Sequence, residues 1–117
     1  MKVTKEASLK QLQELRNMKE GWGFGCEKPF DKALLDNVEF IIENLEHTPA
    51  VYPTYTSDVQ LEWYKGEEYL EILVTLDGQC ELYKTDGKKL KADRYEVFKY
   101  NSTLILDYVK QFYASKL

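Results

Sequence analysis

The sequence predicts an α+β domain with two layers: two N-terminal helices, a three- or four-stranded antiparallel meander and a C-terminal helix. Apolar residues recur at helical spacing near both ends of the chain, and between residues 59 and 84 they alternate with polar ones. Turns that contain glycine separate the alternating segments. Because 117 residues suffice for one hydrophobic core, we expect residues 1–117 to form a single domain.

The first predicted helix runs from about Thr4 to Glu20. Its apolar residues recur every third position, at Leu9, Leu12, Leu15 and Met18. Either Thr4 or Ser8 is expected to cap its N-terminus, since Ser8 opens a capping-box pattern. Gly21 is expected to end it, because glycine adopts the left-handed C-terminal conformation freely.

The second predicted helix begins at its cap, Asp31, and ends near His47, ahead of Pro49. Its apolar residues follow the pattern of an amphipathic helix, at Leu34, Leu35, Val38, Ile41, Ile42 and Leu45. Because prolines disfavour a helix, residues 49–57 are expected to be extended.

Three strands follow at residues 59–64, 68–76 and 79–84, and a fourth is considered around Tyr95 to Lys99. Leu104, Ile105, Tyr108, Val109 and Phe112 then lie at helical spacing. They predict a last helix over residues 102–117, capped by Asn101 or Ser102.

The turns also predict how the strands are paired. A tight turn at Gly66 and Glu67 places Trp63 opposite Leu70, and it therefore places Glu62 opposite Glu71. A three-residue loop with a left-handed Gly78 places Val74 opposite Cys80, which keeps apolar residues on one face.

Composition is typical of a folded protein of the cytoplasm. No apolar run approaches the roughly 18 residues of a membrane span, and the first residues lack the apolar stretch of a signal peptide. We therefore expect no membrane association, a cytoplasmic location, and reduced thiols at Cys26 and Cys80.

Charge is segregated along the chain. Residues 31–82 carry twelve acidic and two basic side chains, whereas residues 83–117 carry eight basic and four acidic ones. Because the net charge is −4, the basic cluster from Lys84 to Arg94 is not expected to bind nucleic acid. The acidic centre suits a protein partner with a basic surface, or the basic end of another copy in a homo-oligomer.

The glycine-rich segment Gly21–Gly25 does not match a phosphate-binding motif. Its G-x-G-x-G spacing follows a helix, whereas a dinucleotide fingerprint needs GxGxxG after a strand. A loop whose Trp22 and Phe24 cover the edge of the core is the interpretation favoured.

The sequence predicts no catalytic residue, no metal ligand and no cofactor. Cys26 and His47 are the conceivable thiol–imidazole pair, but nothing in their spacing requires them to lie within hydrogen-bond reach. One histidine and two distant cysteines do not make a metal site.

The pair Glu62 and Glu71 admits two interpretations. Like charges opposite each other on neighbouring strands are destabilising, so a cation such as Lys84 or Arg94, or a bound partner, is expected to offset them. The alternative is a carboxylate pair that performs acid–base chemistry in a hydrolase or lyase. The structural, ion-paired interpretation is favoured.

Tyrosines form the second candidate site. Tyr64, Tyr69 and Tyr83 alternate onto the same sheet face as the two glutamates, and Tyr52 and Tyr55 precede the first strand. Because tyrosine is favoured at protein interfaces, this face is a candidate recognition surface. A face covered by helices is the alternative.

The combination of motifs resembles a known family. Gly21-Trp22-Gly23, Pro29, Pro53-Thr54, Leu61-Glu62-Trp63 and Leu70-Glu71-Ile72 occur in the order found in small uncharacterised proteins of bacteria, phages and mobile elements. The chain departs from that pattern after Trp22, where Asp-Gly is usual, and at Ser57-Asp58. The resemblance covers residues 9–83 and implies a bacterial or phage source, with attention to Trp22, Glu62, Trp63 and Glu71.

Together these features favour a small non-enzymatic binding or regulatory protein. An inhibitor encoded on a phage or mobile element, of the antitoxin or anti-defence type, is the expected role. The candidate binding residues are Glu62, Tyr64, Tyr69, Glu71, Tyr83, Tyr52, Tyr55 and Trp22.

Overall fold

A computed structural model describes residues 3–86 and 94–114 and shows an α+β fold. In chain order its elements are α1 (Lys5–Arg16), α2 (Lys32–Glu43), β1 (Ala50–Pro53), β2 (Val59–Lys65), β3 (Glu68–Val74), β4 (Gln79–Thr85), β5 (Arg94–Lys99) and α3 (Ser102–Ala114). The strands form one antiparallel meander, in the order β1-β2-β3-β4-β5. None of the described helices is long and apolar enough to cross a membrane.

The sheet has five strands, so the prediction of three or four was too small. The strand considered around Tyr95 to Lys99 is β5. The one missed is β1, whose four residues are too few to show alternation and include a proline. It pairs with β2, with Val51 opposite Leu61, and a proline is tolerated there because β1 is an edge strand.

The predicted pairing of β2, β3 and β4 is confirmed. Trp63 lies opposite Leu70 and Glu62 opposite Glu71, while Val74 lies opposite Cys80. Gly78 has a φ of +85°, the left-handed conformation that this turn requires.

The helix starts are confirmed by their caps. The Thr4 side chain accepts a hydrogen bond from the Ala7 amide at 3.1 Å, and Asp31 accepts one from the Leu34 amide at 3.1 Å. Ser8 is not a cap, because it is buried within α1 and donates to the Pro49 carbonyl.

The two N-terminal helices end earlier than predicted. The first ends at Arg16 rather than Glu20, and the second ends at Glu43 rather than near His47. Gly21 does not end α1. It has a φ of +78°, and its amide donates to the Glu27 carbonyl at 2.8 Å, so its conformation closes the loop that follows.

The last helix is capped by Asn101, whose side chain accepts a hydrogen bond from the Leu104 amide at 3.0 Å. Its final predicted residues, 115–117, lie outside the described residues. So do Lys88, Lys89 and Lys91 of the basic cluster.

The helices pack against one face of the sheet. The core joins α1, α2 and α3 to the inward residues of the strands; its largest fully buried side chains include Trp63, Leu12, Leu35, Ile41, Leu61, Ile72, Leu82 and Ile105. Successive strand residues point to opposite faces, so the other face of the sheet lies away from the helices.

Candidate interaction surface

The sheet face turned away from the helices is exposed, which settles whether helices cover it. We call it the outer face. On the four longer strands it comprises Gln60, Glu62, Tyr64, Tyr69, Glu71, Leu73, Gln79, Glu81, Tyr83, Thr85, Tyr95, Val97 and Lys99, joined on β1 by Tyr52. Large side chains remain open to solvent here, with Tyr64 at 55%, Tyr95 at 58% and Val97 at 56% exposure. An open sheet face rich in tyrosine is typical of a recognition surface.

Each carboxylate on the outer face accepts a hydrogen bond from a tyrosine. The hydroxyl of Tyr64 donates to Glu62 at 2.9 Å, and that of Tyr69 donates to Glu71 at 2.6 Å. Tyr95, from the neighbouring strand, donates to Glu81 at 3.0 Å. Hydrogen bonds to ionised groups are the strong ones, so these hydroxyls offset the repulsion between Glu62 and Glu71.

The expectation that Lys84 or Arg94 offsets this repulsion was wrong. Both residues alternate onto the opposite face of the sheet, where they lie opposite each other. Arg94 there pairs with Glu96 at 2.9 Å. An additional donor to Glu62 is instead the neighbouring amide of Gln60.

The tyrosine hydroxyls act as neutral donors. Burial, followed by the hydrogen bond to Glu62, raises the pKa of Tyr64 to about 12. Burial and the bond to Glu71 likewise raise the pKa of Tyr69, and the bond to Glu81 raises that of Tyr95. These residues therefore remain protonated at physiological pH, and the negative charge of the face belongs to the glutamates.

A cleft of about 380 Å³ opens beside one end of the outer face. It is lined by Val3, His47, Thr48, Glu62, Trp63, Tyr64 and Tyr113. The His47 ring stacks on Tyr113 at 3.8 Å between centroids, and the His47 carbonyl accepts the indole N–H of Trp63 at 2.9 Å. His47 thus contributes to packing, and it brings an imidazole into the cleft that Glu62 lines.

Trp22 and Tyr55 do not belong to the outer face. They stack on each other at 5.4 Å and 16°, where the glycine loop packs on the β1–β2 connection. Tyr55 also contacts Phe24 at 4.5 Å. Trp22 covers the core edge as expected, but Phe24 is 81% exposed, so the expectation for Phe24 was wrong.

Sequence reasoning missed the role of Glu27. Its carboxylate accepts the backbone amides of Gly23 at 3.0 Å, Phe24 at 2.6 Å and Gly25 at 3.0 Å. These bonds, the one from Phe24 foremost, lower the pKa of Glu27 to about 2. Successive amides of this kind form an anion-binding nest, and the chain fills it with its own carboxylate.

Gly23 shows why this loop is rich in glycine. A Cβ at this position would lie 2.6 Å from Cε1 of Tyr55 and 2.8 Å from Oε2 of Glu27. A signal for the nest was present in the sequence, since an acidic residue follows closely on three glycines whose amides need an acceptor.

Cys26 and His47 lie near opposite ends of β2. The loop that holds Cys26 is joined to the start of β2 through the Lys28 carbonyl, which accepts from the Ser57 hydroxyl at 2.7 Å. His47 contacts Trp63 near its other end. Both cysteines are free thiols, with Cys26 exposed and Cys80 buried. Within residues 3–86 and 94–114, no group of three or more histidine, cysteine or acidic side chains is arranged to hold a metal ion.

Comparisons with models of protein families, with curated proteins and with solved structures find no match for this chain.

Proposed function

We propose that this protein is a non-enzymatic binding module whose outer face docks on a basic surface of another protein. The observation that carries the proposal is the set of three tyrosine–glutamate pairs on an open sheet face. Helix α2 is the other acidic region of the chain, and its ion pairs make it a weaker candidate.

Two of the three acidic side chains of α2, those of Asp36 and Glu39, are already paired within the molecule. Arg16 contacts Asp36 at 2.8 Å and Glu39 at 2.9 Å, and Lys32 contacts Asp36 at 2.7 Å. The charge of these two carboxylates is therefore balanced locally by Arg16 and Lys32.

The carboxylates of the outer face have no such balance. In the part of the chain that the structure describes, Glu62, Glu71 and Glu81 take part in no ion pair, and Lys99 is the one cation of the face, at its β5 corner. Unbalanced carboxylates attract a basic partner and steer its approach.

The outer face is also held in shape before it binds. Tyrosine loses little conformational entropy on binding, and a tyrosine whose hydroxyl is already bound to a neighbouring carboxylate loses still less. This arrangement supports a preorganised contact surface. With the resemblance to proteins of bacteria, phages and mobile elements, it supports a cytoplasmic inhibitor of the antitoxin or anti-defence type.

Site-specific photocrosslinking in lysate of the source cells tests the proposal. A photoreactive phenylalanine in place of Tyr83 should capture a protein with a basic surface, since Tyr83 lies on the outer face directly opposite Glu71. Phe40 on α2 is the matched control, because it is aromatic and, at 51%, more exposed than Tyr83 at 38%. Equal capture from both positions would contradict the proposal.

Neutralising the carboxylates tests the charge. Replacing Glu62, Glu71 and Glu81 by glutamine keeps an acceptor for each tyrosine and should weaken capture by about tenfold or more. The wild-type contact should weaken as salt rises, because salt screens surface charges. Capture that is indifferent to both changes would exclude a basic partner.

A hydrolase or lyase is the second candidate, favoured by the position of Glu62 in the cleft beside His47. A general acid needs a carboxyl that titrates well above the usual range of glutamate. NMR titration of the carboxyl groups in the wild-type and Glu71→Gln proteins distinguishes a binding module from a hydrolase or lyase. If both glutamates titrate in the usual range, neither can act as the general acid.

A further inference from the structure

The two edges of the sheet differ in how their outward backbone groups are satisfied. On β1 the residues that point away from β2 are Val51 and Pro53, because the Thr54 amide bonds to the Asp58 carbonyl and hydrogen bonding alternates from there. The Val51 amide donates to the side chain of Gln11 at 2.9 Å, and proline has no N–H. This edge is closed to a further strand.

The β5 edge is open. The Tyr100 amide donates to the Gly78 carbonyl at 2.8 Å, so by the same alternation Tyr95, Val97 and Lys99 direct their N–H and C=O groups away from β4. Among the described residues, no hydrogen bond reaches these outward groups. The side chains of Tyr95 and Val97 are more than half exposed, so the edge is accessible.

We propose that β5 pairs antiparallel with β5 of a second copy, about a two-fold axis at Val97. In this register Val97 lies opposite its own counterpart, and Tyr95 lies opposite Lys99 of the other copy. The three facing pairs add about six backbone hydrogen bonds. Most soluble oligomers are closed and symmetric, as this pairing is.

Charge on the outer face favours a second copy as the occupant, and the length of β5 favours this register. Tyr95 donates to Glu81, so Lys99 of one copy is placed against the tyrosine–carboxylate pair of the other. A shift by two residues in either direction leaves two facing pairs within Arg94–Lys99 instead of three, and so loses about two backbone hydrogen bonds. Attraction between the Lys99 ammonium and the Glu81 carboxylate of the other copy favours a second copy as the occupant.

The self-pairing is independent of the proposed outer-face function. It joins two outer faces edge to edge into one longer surface and leaves Glu62 and Tyr64, three strands away, uncovered. The surface offered to a partner is then doubled.

Disulfide trapping tests the register. In a Cys26→Ser background, Val97→Cys should give a disulfide-linked dimer on mild oxidation. Facing hydrogen-bonded residues lie about 5.5 Å apart at Cα, within the range of a disulfide. The control is Tyr83→Cys, on the same face but one strand inward, and it should cross-link at least about tenfold more slowly. Equal rates would overturn the proposal.

Sedimentation of the uncross-linked protein tests the backbone pairing. Val97→Pro removes the central outward N–H and should weaken self-association by about tenfold or more, whereas Val97→Thr keeps it and should change it by less than about threefold. Circular dichroism verifies that both variants are folded. A wild-type chain that remains monomeric up to millimolar concentration would overturn the proposal, even if it captures strands of other proteins.

Discussion

At the scale of single residues, tyrosine hydroxyls hold the outer-face carboxylates. Glu62 and Glu71 face each other across β2 and β3, an arrangement that repels in the absence of a compensating group. Each accepts one hydroxyl. Two phenolic hydroxyls thus stabilise the two carboxylates, which remain on the outer face where a partner can bind them.

The Tyr69→Phe substitution should destabilise the protein by about 1–2 kcal/mol, because Glu71 loses a charge-assisted hydrogen bond next to a like charge. Urea unfolding measures the loss. Glu71→Gln in the same background should restore part of it by removing the repulsion. A Tyr69→Phe protein as stable as the wild type would show that water replaces the hydroxyl.

Glu27 makes the stability of the glycine loop depend on pH. Its folded pKa of about 2 lies below its usual value of 4.5, so its contribution is present above pH 4.5 and is lost as the pH falls toward 2. Glu27→Gln replaces one acceptor oxygen by a donor and should lower Tm at pH 7. The difference in Tm from the wild type should narrow at pH 3, and a constant difference would contradict this account.

At the scale of elements, capping decides where each helix begins. For α3, both Asn101 and Ser102 are suitable residue types, and the structure selects Asn101. For α1, Thr4 takes the role that Ser8 also offered. In each case the unused candidate is the first residue of the helix or lies within it.

The Asn101→Ala substitution should therefore cost about 1 kcal/mol of the free energy of unfolding, since the Leu104 amide loses its acceptor. Ser102→Ala is the matched control and should cost only a few tenths of that, because alanine favours a helix. Chemical denaturation of the two variants measures both values. Equal losses would assign the cap to both residues.

At the scale of the whole molecule, all three helices lie on one face of the sheet and leave the other to tyrosines and glutamates. Burial and hydrogen bonds to glutamates raise the pKa of Tyr64 to about 12 and also raise the pKa of Tyr69. A raised folded pKa contributes stability that is complete below the unfolded value and is lost above it.

The protein should consequently lose stability as the pH rises from about 10 to 12, because tyrosines of the unfolded chain ionise at lower pH than folded Tyr64. Urea midpoints between pH 8 and 12, with phenolate absorbance recorded in parallel, measure this. Tyr64→Phe should flatten part of the slope. A stability that is constant up to pH 12 would contradict the raised values.

The sequence by itself determined the features that depend on neighbours along the chain. Caps such as Asp31 and the turn at Gly78 specify their conformation through contacts a few residues away, so the starts of the helices and the pairing of β2, β3 and β4 followed from pattern. The position of Glu62 opposite Glu71 followed from the same strand register, because side chains alternate between the two faces of a sheet.

Only the tertiary structure decided what depends on residues that are distant in sequence. Pairing with β2 turned residues 50–53 into a strand, and the placement of the helices left the outer face open. Glu62 and Glu71 are bound by tyrosines and not by a cation. The pairing of β5 with β4 places Arg94 on the opposite face of the sheet. Periodicity places a side chain on a face of its own strand, but the contacts of that face come from the packing of the whole chain.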